Sequence, residues 1–448
     1  MRISVIGGTG YIGLVTGAGL AAVGHDVICA DIDRQKIENI KKGILPVYEE
    51  GLDILLRKTK AEGGIRFTDC IRTAVSDSDV LMVAVGTPEG PNGETDMGQM
   101  ESALVSVASA MERYKTIVIK STVPVGTGDW AVSVVRKNLR SPSISFDIVS
   151  NPEFLREGSA VRDFMNPDRI VVGASGAYSA NIMKEIYKSF ACPLIVTDRR
   201  SSEMIKYACN SYLASRISFI NEIADICEKV NGDIHSVIEG MSYDKRIGGH
   251  YLNPGPGFGG PCLHKDISSL INFGGRAGAD VGMLRAVIER NDRQIGHLVN
   301  HIHAALKKIR NKKIAVLGLS FKAGTDDIRN SPAILLIKKL LESKCRVSAY
   351  DPKVRRLPEP LNSSVSVARS IREAVLNADC LVIMTEWDEF AAMDLDALYQ
   401  AMRHAHMVDT RNLVSPERAS EAGFDYKGIG VRRKGAFENE NDMMEKII

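Results

Sequence analysis

Two doubly wound α/β lobes joined by a long central helix and a helical middle domain are the architecture that this 448-residue sequence predicts. Three observations predict it. A strand, glycine turn, helix, strand pattern opens the chain over residues 1–35, and the same alternation restarts at Lys313. Between them, residues 202–230 carry apolar side chains at helical spacing with no Gly or Pro, the pattern of one long helix. Length agrees, because single cores stop growing at roughly 250–300 residues.

The elements follow in order. Residues 3–6 (ISVI) read as a strand, residues 11–23 as a helix closed by Gly24, and residues 27–30 as a second strand. Short apolar runs at 80–85, 117–119 and 170–172 alternate with helical stretches, which predicts a parallel sheet covered by helices. The basic stretch 307–313 marks a boundary. Beyond it come a strand at 313–317, a helix at 332–341, a strand at 346–350 ending in Asp351, and a strand at 380–384. The predicted division is 1–200, a dinucleotide-binding lobe; 201–305, a helical dimerisation domain; 306–433, a second α/β lobe; and 434–448, a loosely held polar tail.

Composition narrows the class. Hydrophobic residues make up 44% and charged residues 25%, the balance of a globular protein. A net charge of +2 gives no broad attraction for nucleic acid or an anionic membrane. No apolar run approaches the ~20 residues that span a bilayer, and the first residues lack a secretory leader's apolar stretch. The eight cysteines are scattered singly, without a C-x-x-C pair. Reduced thiols in a cytoplasm are the expectation.

Gly8-Thr9-Gly10-Tyr11-Ile12-Gly13 fits G-x-G-x-x-G directly after a strand and at the opening of a helix. There, backbone can approach a pyrophosphate and the helix N-terminus supplies unpaired N–H groups. Asp31 ends the second strand 18 residues past Gly13, where a carboxylate grips a ribose 2′-hydroxyl and repels a 2′-phosphate. A Rossmann-like lobe binding NAD rather than NADP follows. Gly7 is an extra glycine beside the motif, a version that also suits epimerases. Their Tyr with a Lys four residues on is absent from this chain, which counts against that reading.

Residues 255–266 (GPGFGGPCLHKD) are the most informative stretch. Four glycines and two prolines make a side-chain-poor loop that lets backbone approach a ligand, and the chain after Pro261 is compatible with helix. Cys262 then stands near a helix N-terminus, with Lys265 and Lys206 as cations that favour the thiolate, and Asp266 lies four residues on. A lone cysteine is ordinarily a small buried hydrophobe, the reading kept for the other seven. A thiol beside a nicotinamide allows a second oxidation, from thiohemiacetal to thioester, giving four electrons, two NAD and a carboxylate.

With these segments stand Gly86-Thr87-Pro88, residues 120–127 (KSTVPVGT), 150–158 (SNPEFLREG), 203–210 (EMIKYACN), Arg246-Ile247-Gly248, 318–322 (GLSFK) and Asp409-Thr410-Arg411. Together they resemble the UDP-glucose 6-dehydrogenase family, within the wider UDP-glucose/GDP-mannose dehydrogenase group, from Met1 to about Gly430. The resemblance implies Cys262 as nucleophile, Lys206 and Asn210 as oxyanion stabilisers, Asp266 and Thr122 as water-positioning and proton-handling groups, and Glu153 as general acid/base. It implies cofactor contacts from Gly8, Gly10, Ile12, Gly13, Asp31, Lys36, Thr87, Thr122, Glu157, Lys265 and Arg329. For the sugar nucleotide it implies Glu153, Phe154, Leu155, Lys206, Asn210, Tyr251, Leu252, Asn253, Pro254, Gly255, Gly259, Lys322 and Arg411. Arg246 would reach a neighbouring subunit's substrate in a homodimer built on the long helix. The expected cofactor is NAD, with no metal.

Read singly, Lys206 is a solvated helix residue, Arg411 a surface cation, and Glu153 with Glu157 an exposed acidic face. Matching in chain order is what lifts them. Pro261, Leu263 and His264 depart from the family's Ser-Cys-Phe-Pro-Lys-Asp, and His264 is expected to face solvent. Leu263 and residues 251–255 lean toward the GDP-mannose relatives, whereas Arg246-Ile247-Gly248 leans back to UDP-glucose. UDP-glucose leads as substrate. GDP-mannose or a UDP-N-acetylhexosamine with the same chemistry is the sibling reading, and an isomerase or a non-catalytic sensor is the distant one.

Overall fold

The computed structural model describes residues 1–432; the predicted tail at 434–448 lies outside them. The chain forms two compact units, one of Met1–Cys209 with Lys265–Asp280, the other of Asn210–His264 with the described residues from Val281 onward.

The first unit is built on eight strands: β1 (Arg2–Ile6), β2 (Asp26–Ala30), β3 (Ile65–Thr68), β4 (Val80–Val83), β5 (Lys115–Ile119), β6 (Phe146–Ser150), β7 (Ile170–Gly173) and β8 (Leu194–Thr197). Their order is β3-β2-β1-β4-β5-β6-β7-β8. Successive side chains on a strand point to opposite faces, and the core divides accordingly. Ile3, Val5, Val27, Cys29, Val80 and Met82 feed one cluster, while Ile6, Ile28, Ala30, Leu81, Val83 and Ile117 feed the other. Burial on both faces is what makes these strands read as unbroken apolar runs.

Parallel pairing was expected throughout. The structure departs from it at β7, which pairs antiparallel with β6 through Ser150 and Gly173 and carries β8 parallel to itself. A parallel neighbour needs a full crossover, usually a long helix. The segment between β6 and β7 holds only the six-residue helix Ala160–Met165.

The second unit repeats the plan with β9 (Lys313–Leu317), β10 (Arg346–Tyr350), β11 (Val365–Val367), β12 (Cys380–Ile383), β13 (His406–Asp409) and β14 (Asp425–Gly428), all parallel, in the order β11-β10-β9-β12-β13-β14. One sheet face is covered by a cluster that includes Ile220, Ala224, Leu298, Ile302, Leu336 and Leu340. In each sheet the strand order reverses beside the first strand, between β1 and β4 and between β9 and β12. Open α/β sheets bind ligands at such reversals, outside the carboxyl ends of the strands.

The predicted spine is a single helix, Arg199–Val230, of 32 residues. The chain after Cys262 forms the helix Leu263–Arg276, and a third long helix spans Gly282–Leu306. Among the described residues no helix is long and apolar enough to cross a membrane. All eight cysteines are free of disulfides.

Candidate active site

At the reversal in the first sheet, the turn after β1 delivers the chain to the helix Tyr11–Ala22. Gly7 is the residue that makes this turn possible. Its φ is +80°, and a Cβ there would stand 2.7 Å from the carbonyl oxygen of Ala84. The glycine that seemed surplus beside the motif is therefore its hinge. At Gly13 a Cβ would lie 2.2 Å from the Gly7 carbonyl, so helix and turn pack backbone to backbone. Gly10 is the N-cap and provides no side-chain cap, leaving the first N–H groups of the helix for an anionic ligand.

Asp31, just past β2, takes the N–H and hydroxyl of Thr9 on Oδ2 at 3.0 and 2.6 Å and the N–H of Asp33 on Oδ1 at 3.1 Å. Its carboxylate is thus held at the mouth of the turn. Thr87, beyond β4, donates its hydroxyl to the carbonyl of Thr122 at 2.9 Å, joining two predicted cofactor residues. Ile12 is half-buried in the first helix, and Glu157 is half-buried before Ala160–Met165. Lys36 is exposed, with its Nζ 3.5 Å from Asp33. Backbone, dipole and carboxylate together fit a dinucleotide.

In the same unit Glu153 and Lys206 meet. Lys206 Nζ donates to Glu153 Oε1 at 3.1 Å, with side-chain exposures of 5% and 7%. Neither is the surface residue that ordinary statistics would make it. Glu153 Oε2 accepts the N–H of Leu155. The ring of Phe154 has the guanidinium of Arg169 3.7 Å from its centroid and the ammonium of Lys206 at 5.4 Å. A cavity of about 330 Å³ opens here, lined by Lys120, Asn151, Glu153, Phe154, Leu155, Arg169 and Tyr187 among others. Burial pulls the Lys120 ammonium down to about 8, against the opposing pull of Glu153. Lys120 Nζ donates to Asn151 Oδ1 at 3.4 Å, and the same oxygen takes the Tyr187 hydroxyl at 2.6 Å. Arg169 and Tyr187 escaped the sequence reading because nothing local distinguishes them; only the returning β7 strand brings Arg169 to Phe154.

Asn210 lies one turn beyond Lys206 on the same helix. Asp266 is 1% exposed in the first turn of Leu263–Arg276 and takes the Lys265 ammonium at 2.6 Å. Cys262 is exposed and directly precedes this helix.

In the second unit the loop before Cys262 is pinned by amides. Asn221 Oδ1 takes the Gly255 N–H and Gln294 Nε2 donates to the Gly255 carbonyl, each at 2.7 Å. Asn291 closes a pair of bonds with Phe258, at 2.8 and 3.2 Å. Asn221 and Gln294 are almost wholly buried. These three were missed, although buried-face amides interrupting the apolar stripes of two long helices were a usable signal. At Gly259 a Cβ would meet the Asn330 carbonyl at 2.4 Å, and Gly260, at φ +80°, packs under the Phe321 ring.

Of the predicted binding segment, Leu252, Pro254 and Gly255 are buried, Asn253 and Tyr251 are exposed, and Tyr251 has φ +60°. Arg411 follows β13 and approaches Gly255; its Nε donates to the Met384 carbonyl at 2.9 Å and pairs with Glu386 at 3.0 Å. It is a loop-facing residue rather than a loose surface cation. Lys322 stands over Phe321 after β9, Arg329 is exposed and paired with Asp327, and Arg246 is exposed and paired with Asp244. His264, expected in solvent, is half-buried, and its charge acts on Asp292. Asp292 belongs to the helix Gly282–Leu306, which that interaction sets beside His264.

The NAD binding domain of the UDP-glucose/GDP-mannose dehydrogenase family matches residues 1–191, its central domain 200–293 and its UDP binding domain 315–416. A UDP-glucose 6-dehydrogenase of Rhizobium meliloti is 43% identical over 96% of this chain and 99% of its own. The UDP-glucose 6-dehydrogenase YwqF of Bacillus subtilis is 42% identical over 96% and 98%. Among solved structures, a UDP-glucose dehydrogenase from Pyrobaculum islandicum superposes with TM-score 0.89 at 34% identity, covering 96% of this chain and 98% of that one. A UDP-D-ManNAc dehydrogenase from Pyrococcus horikoshii gives 0.86 at 30%, covering 96% and 99%.

Proposed function

The chain belongs to the UDP-glucose/GDP-mannose dehydrogenase family, an NAD-dependent oxidoreductase, and from that premise we propose that it oxidises the primary alcohol of UDP-glucose to the carboxylate of UDP-glucuronate. The observation that carries the covalent route is the exposed Cys262 directly before a helix whose first turn holds a buried acid, Asp266. A thiolate at that position is favoured by the helix N-terminus.

The alcohol first loses a hydride and a proton to become an aldehyde. Cys262 sulfur then adds to the aldehyde carbon, and the new oxyanion is stabilised by Lys206 and Asn210, which one helical turn sets on the same face. Loss of a second hydride turns the thiohemiacetal into a thioester. Water held by Asp266 and Thr122, with Glu153 taking its proton, breaks the carbon–sulfur bond and releases acid and thiol. When bound, NAD would supply the hydride acceptor for each oxidation, two molecules per sugar. Gly8, Gly10, Ile12, Gly13, Asp31, Lys36, Thr87, Thr122, Glu157, Lys265 and Arg329 would hold it.

The sugar nucleotide is held by Phe154, Leu155, the 251–255 segment, Gly259, Lys322 and Arg411. The curated relatives named for UDP-glucose favour that substrate. The UDP-D-ManNAc dehydrogenase neighbour keeps a UDP-N-acetylhexosamine as the second reading. A homodimer through the spine helix, with Arg246 reaching across, completes the proposal. Its support is the exposed row Tyr212, Phe219 and Ile226 at seven-residue spacing.

The test is the NADH yield at limiting UDP-glucose, GDP-mannose and UDP-N-acetylmannosamine in turn. Two NADH per UDP-glucose, and none from the others, is the expected result. Cys262→Ala should still bind both ligands yet release no carboxylate; an unchanged rate of acid formation overturns the covalent route.

A further inference from the structure

Away from the candidate active site, the second unit contains a compact cluster of metal-ligating groups. Glu228 on the spine helix faces His297 and His301, which sit four residues apart on the helix Gly282–Leu306. One ligand atom from each of the three lies within 4.8 Å of the others. His301 Nε2 is 3.0 Å and His297 Nε2 3.6 Å from Glu228 Oε2, and the imidazole centroids are 4.3 Å apart. Asp225, one turn before Glu228, sets its Oδ1 3.3 Å from His297 Nε2.

Arg290 holds Asp225 Oδ2 at 2.7 Å and the Gly430 N–H holds Glu228 Oε1 at 3.0 Å, while Glu228 Oε2 faces His301 at 3.0 Å and Lys427 at 3.1 Å. Asp225 Oδ1 and His297 Nε2 are buried and make no hydrogen bond of acceptable geometry. A buried polar atom left so costs ~1–3 kcal/mol, a cost that a metal ion would remove.

We propose that His297, His301, Glu228 and Asp225 form a binding site for a zinc-class divalent ion, tying the spine helix to the helix Gly282–Leu306. Nitrogen and oxygen ligands of zinc lie at ~2.0–2.2 Å, so the edge of a tetrahedral set is about 3.4 Å. The separations of 3.3 and 3.6 Å around His297 already match that edge. One group opposes the ion: Lys427 Nζ, 3.1 Å from Glu228 Oε2, must withdraw as the metal enters.

The experiment is zinc uptake by the full chain after chelator treatment and removal of the chelator. It is followed by equilibrium dialysis and by the absorption of bound cobalt, with the exposed thiols Cys70 and Cys262 replaced by serine. One ion per chain, cobalt bands without a thiolate charge-transfer component, and a thermal midpoint raised by zinc are expected. His297→Gln and His301→Gln should lose that uptake and the midpoint shift while keeping the metal-free midpoint near the parent's. Lys427→Met should tighten binding. Absence of stoichiometric uptake, or uptake unchanged in either histidine variant, overturns the site.

Discussion

Glu153 and Lys206 lie 53 residues apart in sequence and 3.1 Å apart in the fold, almost wholly out of solvent. Two buried charges tolerate each other only while both are present, and removing one partner costs ~3–5 kcal/mol. Lys206→Ala should therefore act twice. It should lower the thermal midpoint by stranding Glu153, and, with Lys206 as an oxyanion stabiliser, lower kcat by ~100-fold or more. Steady-state kinetics on folded protein separates the two effects, since a change confined to KM would make Lys206 a binding residue. The motif match in chain order singled out both side chains. That they neutralise each other was not legible, because helix and strand periodicity carries no information about contacts across such a separation.

The loop before Cys262 shows what an element contributes. Its glycines predicted close backbone approach, and Gly259 and Gly260 indeed have backbone or an aromatic ring where a Cβ would go. What holds the loop comes from elsewhere in the second unit: Asn221 from the spine helix, Asn291 and Gln294 from the helix Gly282–Leu306. Gln294→Ala should strand the Gly255 carbonyl and cost ~1–3 kcal/mol of stability. Because Gly255 belongs to the proposed substrate segment, KM for the sugar nucleotide should rise while KM for NAD stays unchanged. Equal rises in both would refute a local role for this amide.

At the scale of the molecule, the spine helix exposes Tyr212, Phe219 and Ile226, with 60%, 51% and 50% of their surfaces open. Seven-residue spacing keeps them on one stripe of the helix, the surface on which the proposed homodimer rests. For the proposed homodimer, Phe219→Glu should place a charge in the stripe and shift the species seen by light scattering from dimer to monomer. A parent that already runs as a monomer would end the dimer proposal.

Local chemistry is what the sequence alone determined: the paired α/β patterns, the single long helix, the Gly8–Gly13 turn with Asp31, and the standing of Cys262 just ahead of a helix. Each rests on neighbours within a turn or on a period of 2.0 or 3.6 residues. The tertiary structure alone decided the reversal at β7, the role of Gly7 as hinge, the half-burial of His264, the amide clamp on the 255–258 loop, and the gathering of Asp225, Glu228, His297 and His301. These depend on which surfaces pack together, and packing joins residues whose separation along the chain leaves no periodic trace.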